Sequence, residues 1–185
     1  MNSPTNTSSA GGALASPEST AKAGSTSASM GTSNVHFTDA NIVALLDEAN
    51  KADSSTAAMV LPKLSSPKAK EFARLMMTSH HGLRVQGQQL ARQANITPQP
   101  PSPDPLQPLV KNATDALQGK TGTALDHAYI EQEITMHRNV IDMAKKMEDQ
   151  AQNPQLKALI KKAGPVLDGH LQRAEQIQKG FSRTA

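Results

Sequence analysis

Three histidines carry the chemistry this chain could do. They are His80 in RLMMTSHHGL, His137 in YIEQEITMHRNV and His170 in PVLDGHLQRA, and each falls on the apolar stripe of a predicted helix. One imidazole on such a stripe is usually a hydrogen-bonded core group, whereas three that meet would form a metal or proton site. Carboxylates accompany them. Glu133 lies four residues before His137, one turn away on the same face, and Asp53 sits in the middle of an earlier helix. Tyr129 lies one turn before Glu133, above or below the layer. Neutral imidazoles with one or two carboxylates suit Zn, Cu, Ni or non-haem Fe. Met76 and Met77 precede His80 by four and three residues, and Met136 adjoins His137. Thioethers beside imidazoles would favour Cu(I), but methionine also fills gaps in a core short of aromatics. A ferritin-type di-iron site needs more inward acids and Glu-x-x-His pairs, and this chain offers Glu-x-x-x-His once, which disfavours a ferroxidase. The competing reading is a buried polar layer that fixes helix register and binds nothing.

The elements that must position these residues are four long amphipathic helices. Helix 1 is predicted over about Thr38 to Leu64, with Thr38 as N-cap and Ile42, Leu45, Leu46, Ala49, Ala52, Thr56, Val60 and Leu64 facing inward. Pro62 should fray its end. Ser66-Pro67 opens helix 2, which runs to about Ala94 with Phe72, Met76, His80, Leu83, Gly87 and Leu90 on one face. TPQPPSPDPLQP is then an extended crossing, followed by a short helix over Leu106 to Leu117. Helix 3 starts near Thr123, with Asp126 completing an imperfect capping box, and points Leu125, Tyr129, Glu133, Met136, His137, Val140, Ala144 and Met147 inward. Asn153-Pro154 opens helix 4, whose inner residues include Leu156, Leu159, Ile160, Ala163, Leu167, His170, Ala174 and Ile177, with a bend at Gly164-Pro165. The fold class is all-α: an antiparallel four-helix bundle with a proline-rich crossover and a short extra helix. In such a bundle the helix midpoints share one level. The histidines lie roughly 13 to 16 residues into their helices, about 20 Å along the axis at 1.5 Å per residue.

Composition narrows the function classes. Of the 185 residues 2% are aromatic, with no Trp, one Tyr and three Phe, which disfavours a base-stacking platform and leaves a core of Leu, Ile, Val, Ala and the 8 Met. The formal charge of +3 is spread along the chain with no basic stripe for nucleic acid. The absence of cysteine removes disulfides, thiolate metal sites and thiol nucleophiles. No apolar run reaches a membrane span, and no signal-peptide pattern stands at the N-terminus as given. Residues 1–35 are Ser, Thr, Ala and Gly with scattered Pro, which predicts a disordered tail or the tether of an exported protein whose signal or lipid-anchoring segment has been removed. The bundle domain is expected over residues 36–180. His81 should point outward, His127 should be solvated, and His36 belongs with the tail.

Three segments are similar to a bacterial family designated domain of unknown function 4142. FARLMMTSHHGLRVQGQQLA resembles its helix-2 pattern, ALDHAYIEQEITMHRNVI its helix-3 pattern and LKALIKKAGPVLDGHLQRA its helix-4 pattern. The resemblance covers roughly Phe37 to Ile177 and places His80, Tyr129, His137 and His170 at motif positions. It implies a ferritin-like fold and an exported, periplasmic or outer-membrane-associated protein, with no activity established for the family. Two positions depart from the pattern. Ser79 stands where the family usually has Asp, and the family's helix-1 glutamate falls near Ser54, with Asp53 as the nearest acid.

The residues together predict a candidate metal set of His80, Glu133, His137, His170 and Asp53, with Tyr129 behind it. The expected role is metal binding in an envelope or stress context. The alternative is a structural or interaction module, and an oxidase or peroxide-handling enzyme ranks third. Metal, substrate and protein partners are left open.

Overall fold

Capping side chains set where three of the five described helices begin. A computed structural model describes residues 36–182, and the tail expected over 1–35 lies outside them. The chain forms α1 (Asp39–Val60), α2 (Pro67–Gln93), α3 (Gln107–Leu117), α4 (Gly122–Gln150) and α5 (Pro154–Phe181). Thr38 caps α1 in a reciprocal box with Asn41. Ser66 accepts from the Ala69 N–H, and Asn153 accepts from those of Gln155 and Leu156. Helix 1 stops earlier than the apolar pattern suggests. Pro62 converts its last turn into a short 3-10 segment, Leu61–Lys63. At the end of α2, Asn95 takes a left-handed φ of 54° and the Ile96 N–H returns to the Ala91 carbonyl at 2.9 Å.

The helices form an antiparallel four-helix bundle of two hairpins, α1–α2 and α4–α5, with no strand among the described residues. The crossover runs the length of the bundle. Its proline-rich start is extended and pairs with the beginning of α1, through Gln99 N–H to Ala40 O at 3.0 Å and Asn41 Nδ2 to Gln99 O at 2.8 Å. α3 then packs on α4.

Each hairpin turn is closed by an aspartate from the other hairpin. Asp126 does not cap its own helix, as the imperfect box predicted. Its buried carboxylate accepts from the backbone N–H groups of Ser65 and Ser66, both at 2.9 Å, at the turn into α2. Asp39, at the opposite end, accepts from Gln152 and Asn153, again at 2.9 Å each. Both reach the N-terminal end of a helix, where unpaired donors collect.

Two apolar cores flank a polar middle. One gathers Phe72, Met76, Leu125, Tyr129, Ile130 and Ile177 towards the Asp126 end. The other gathers Phe37, Ile42, Leu45, Met147, Leu156 and Ile160 towards the Asp39 end. Several residues expected in this second core are only half-buried, among them Leu46, Ala49, Leu83, Gly87, Val140, Leu159 and Ala163. They border a cavity of about 880 Å³. Periodicity had marked the correct faces, but Ala and Gly at several facing positions leave the space between the hairpins unfilled.

Candidate metal centre

Four helices deliver the polar layer. α1 contributes Asn50 and Asp53, α2 His80, α4 Tyr129, Glu133 and His137, and α5 His170. Asn50, Asp53, His80, Glu133, His137 and His170 are all buried, although each is polar. The three imidazoles stand in a near-equilateral triangle, with ring centroids 5.5 Å apart for His80–His137, 5.2 Å for His80–His170 and 5.4 Å for His137–His170. The expected residues fall into two overlapping groups, His80, His137 and His170 in one and Asp53, Glu133 and His137 in the other, and Tyr129 lies one turn from Glu133.

Hydrogen bonds decide which ring nitrogens face inward. The Asn50 amide donates from Nδ2 to the Leu46 carbonyl at 2.7 Å, which turns its Oδ1 towards His80. His80 Nδ1–H donates to that oxygen at 2.9 Å, so its Nε2 carries the lone pair. His137 Nδ1–H donates to the Glu133 backbone carbonyl at 3.0 Å, and its Nε2 is likewise bare. Orientation of one ring nitrogen by an outer partner is how metal-binding imidazoles are held. Asn50 was not anticipated. The available signal was its position three residues before Asp53, on the same face of α1.

The inward atoms are closely spaced. His137 Nε2 lies 3.4 Å from His170 Nδ1, His80 Nε2 lies 3.4 Å from Asp53 Oδ2, and His137 Nε2 lies 4.0 Å from the same oxygen. Two nitrogens each 2.0–2.1 Å from a tetrahedral ion stand about 3.3–3.4 Å apart. Ligand-capable atoms of His80, His137 and His170 all lie within 4.8 Å of one another, and so do those of Asp53, Glu133 and His137. His137 belongs to both groups.

Several of these atoms have no hydrogen-bond partner. They are Asp53 Oδ1, His80 Nε2, the Tyr129 hydroxyl and both carboxylate oxygens of Glu133. The Tyr129 hydroxyl is close enough to Glu133 for each to perturb the other's ionisation but lies outside hydrogen-bonding geometry. Burial drives the electrostatics. Desolvation pushes Asp53 up to about 7, and desolvation together with the Asp53 charge raises Glu133 well above its ordinary value. Burial lowers His137 to about 4, and burial with the neighbouring His137 lowers His170 to about 4. His80 is held well below its usual value by burial and by the other two rings. The layer therefore presents neutral imidazoles beside carboxyls that hold protons near neutrality, a donor set fit for a cation.

The remaining histidines and methionines lie elsewhere. His81 is exposed. His127 is exposed, yet its ring packs on Phe181 at a centroid distance of 4.6 Å. Met76 and Met77 join the core towards the Asp126 end, while Met136 is buried and borders the cavity.

The fold and layer define an all-α helical bundle with a buried His/carboxylate layer. The chain belongs to the DUF4142 family, domain of unknown function, whose model matches residues 22–177. No match was found among curated proteins. Among solved structures the chain is similar to one described as CopM in the Cu(II)-bound form. That likeness has a TM-score of 0.66 at 18% identity and covers 80% of this chain and 99% of the other. At that identity it speaks to the fold. None of the described helices is long and apolar enough to cross a membrane.

Proposed function

We propose that this protein binds one transition-metal ion at the mid-bundle layer, as an envelope protein that sequesters or buffers the metal. His80 Nε2, His137 Nε2 and His170 Nδ1 would be the ligands. Asp53 supplies a further oxygen and Glu133 with Tyr129 stand behind. The carrying observation is that ligand-capable nitrogens of His80, His137 and His170 lie within 4.8 Å of one another, beside His80 Nε2, Asp53 Oδ1 and both Glu133 carboxylate oxygens that lack hydrogen-bond partners. A layer serving only helix register would satisfy its members, because an unpaired buried polar group costs about 1–3 kcal/mol.

The ion is a divalent one of the N/O-preferring class, Zn(II) or Cu(II). The 3.4 Å nitrogen separation favours tetrahedral Zn(II). Square-planar Cu(II) would draw neighbouring nitrogens to about 2.9 Å, but the general affinity order places Cu(II) above Zn(II). The Cu(II)-bound bundle of similar fold supports testing copper first. Placement in the periplasm or at the outer membrane rests on the family resemblance and the composition of the tail, and fractionation of the native host tests it.

The test is a metal titration of the purified chain. We expect one ion per chain for Cu(II) and Zn(II), with tighter binding of Cu(II). At an excess of 100 Kd the ion adds about 2.7 kcal/mol. That corresponds to about 5–10 °C in melting temperature for a domain of this size. His137→Ala should abolish both stoichiometry and shift, and His81→Ala should change neither. A wild-type chain that takes up no ion and shows no shift would return the layer to a purely structural role.

A further inference from the structure

The cavity beside the layer was not anticipated, and a metal ion alone does not explain it. It opens between the two hairpins at the Asp39 end and measures about 880 Å³, within the range of about 300–1,000 Å³ typical of small-molecule sites. Its walls are mainly aliphatic, with Leu46, Leu83, Val140, Leu159 and Ala163 each only half-buried because they face this space. Asn50, Asp53, His80 and His137 line its inner end, and His80 Nε2 and Asp53 Oδ1 are buried there without hydrogen-bond partners. An apolar chamber ending in a few unpaired polar atoms is the general form of a binding pocket.

The charges along the walls narrow the occupant. Asp47 accepts from Arg84 at 2.9 and 3.2 Å and from Gln88 at 2.7 Å, so the Arg84 cation on the wall is already paired. Lys51 and Arg92 also border the space but are exposed to solvent. No buried cation waits for a carboxylate or phosphate among the lining residues. From this we infer that the chamber binds an uncharged, largely apolar small molecule of two or three rings, or equivalent acyl bulk, whose single polar group reaches the His80–Asp53 end. This goes beyond metal binding and does not require it. A bound ion would only change what the polar group meets.

Gly87 makes the chamber testable. It lies on the wall in α2, and a Cβ added there would meet nothing within 4 Å. The Cβ of Gly87→Phe therefore meets no neighbour, and this variant and Ala163→Phe each add a ring to the chamber wall, from α2 and from α5. The probe is N-phenylnaphthylamine, an uncharged aromatic amine that fluoresces when it leaves water, added to the full chain with and without Zn(II). Saturable binding of one probe per chain is expected, weakened at least tenfold in either filling variant, with metal stoichiometry unchanged in both. The sulfonated analogue, anilinonaphthalene sulfonate, should bind at least tenfold more weakly than the neutral probe. His170→Ala, a proposed ligand that does not line the chamber, should lose metal yet keep the probe, which separates failure of the metal reading from failure of this one. No saturable binding to the wild type, or undiminished binding to both folded filling variants, would overturn the chamber. Equal or tighter binding of the sulfonate would overturn the assignment to neutral ligands.

Discussion

His137 is engaged through both ring nitrogens at once. Its Nδ1 is spent on the Glu133 carbonyl one turn back, and its Nε2 faces His170 and Asp53. The three histidines were legible because a polar residue on an aliphatic stripe stands out. Asn50, which orients His80, was not, because an asparagine in a mixed helix carries no such contrast. Protons report on the same geometry. With His137 and His170 lowered to about 4, the folded rings are already neutral at pH 5. The carboxyl of Asp53, raised to about 7, still holds its proton there. Metal affinity should therefore rise from pH 5 to about 7 as that proton ceases to compete, then flatten. Calorimetry in buffers of different ionisation enthalpy should find close to one proton released per ion at pH 6, and distinctly less in Asp53→Asn. The Tyr129 hydroxyl supplies a prediction of opposite sign to most core substitutions. It is buried without a partner, so Tyr129→Phe should leave the metal-free chain as stable or up to about 1–2 kcal/mol more stable in urea.

The starts of α1, α2 and α5, the crossover and the inward faces were readable because each has a local cause: a capping side chain, a run of prolines, a period near 3.6. The roles of Asp126 and the cavity were not readable. An acid three residues after a threonine at a helix start looks like a local cap, and only the packed bundle shows that its carboxylate is drawn to Ser65 and Ser66. Periodicity likewise states which side of a helix faces inward, not whether the opposing sides meet. Asp126→Ala would strip two backbone donors of a charged acceptor inside a buried turn. We expect a loss of about 2–4 kcal/mol, read from the urea midpoint. Asn153→Ala, a simple N-cap at a more accessible turn, should cost about 1 kcal/mol.

At the scale of the whole molecule, the site belongs to neither hairpin. Asp53 and His80 come from one, His137 and His170 from the other, and the cavity lies between them. An ion held by both would fasten the hairpins across their interface, so its stabilisation should extend to the entire bundle. Asp39 and Asp126 act on the same boundary from the two ends. Each hairpin lends the carboxylate that completes its neighbour's turn, so the bundle is built from two pieces that complement each other at both ends. Cut within residues 97–105, the chain should yield two fragments, each poorly helical alone, that reassemble when mixed in equal amounts. Circular dichroism should recover most of the intact signal, and much less when Asp39→Ala and Asp126→Ala are both present. The mutual lending of acids thus specifies pairing, so that each half recognises the other without a covalent link.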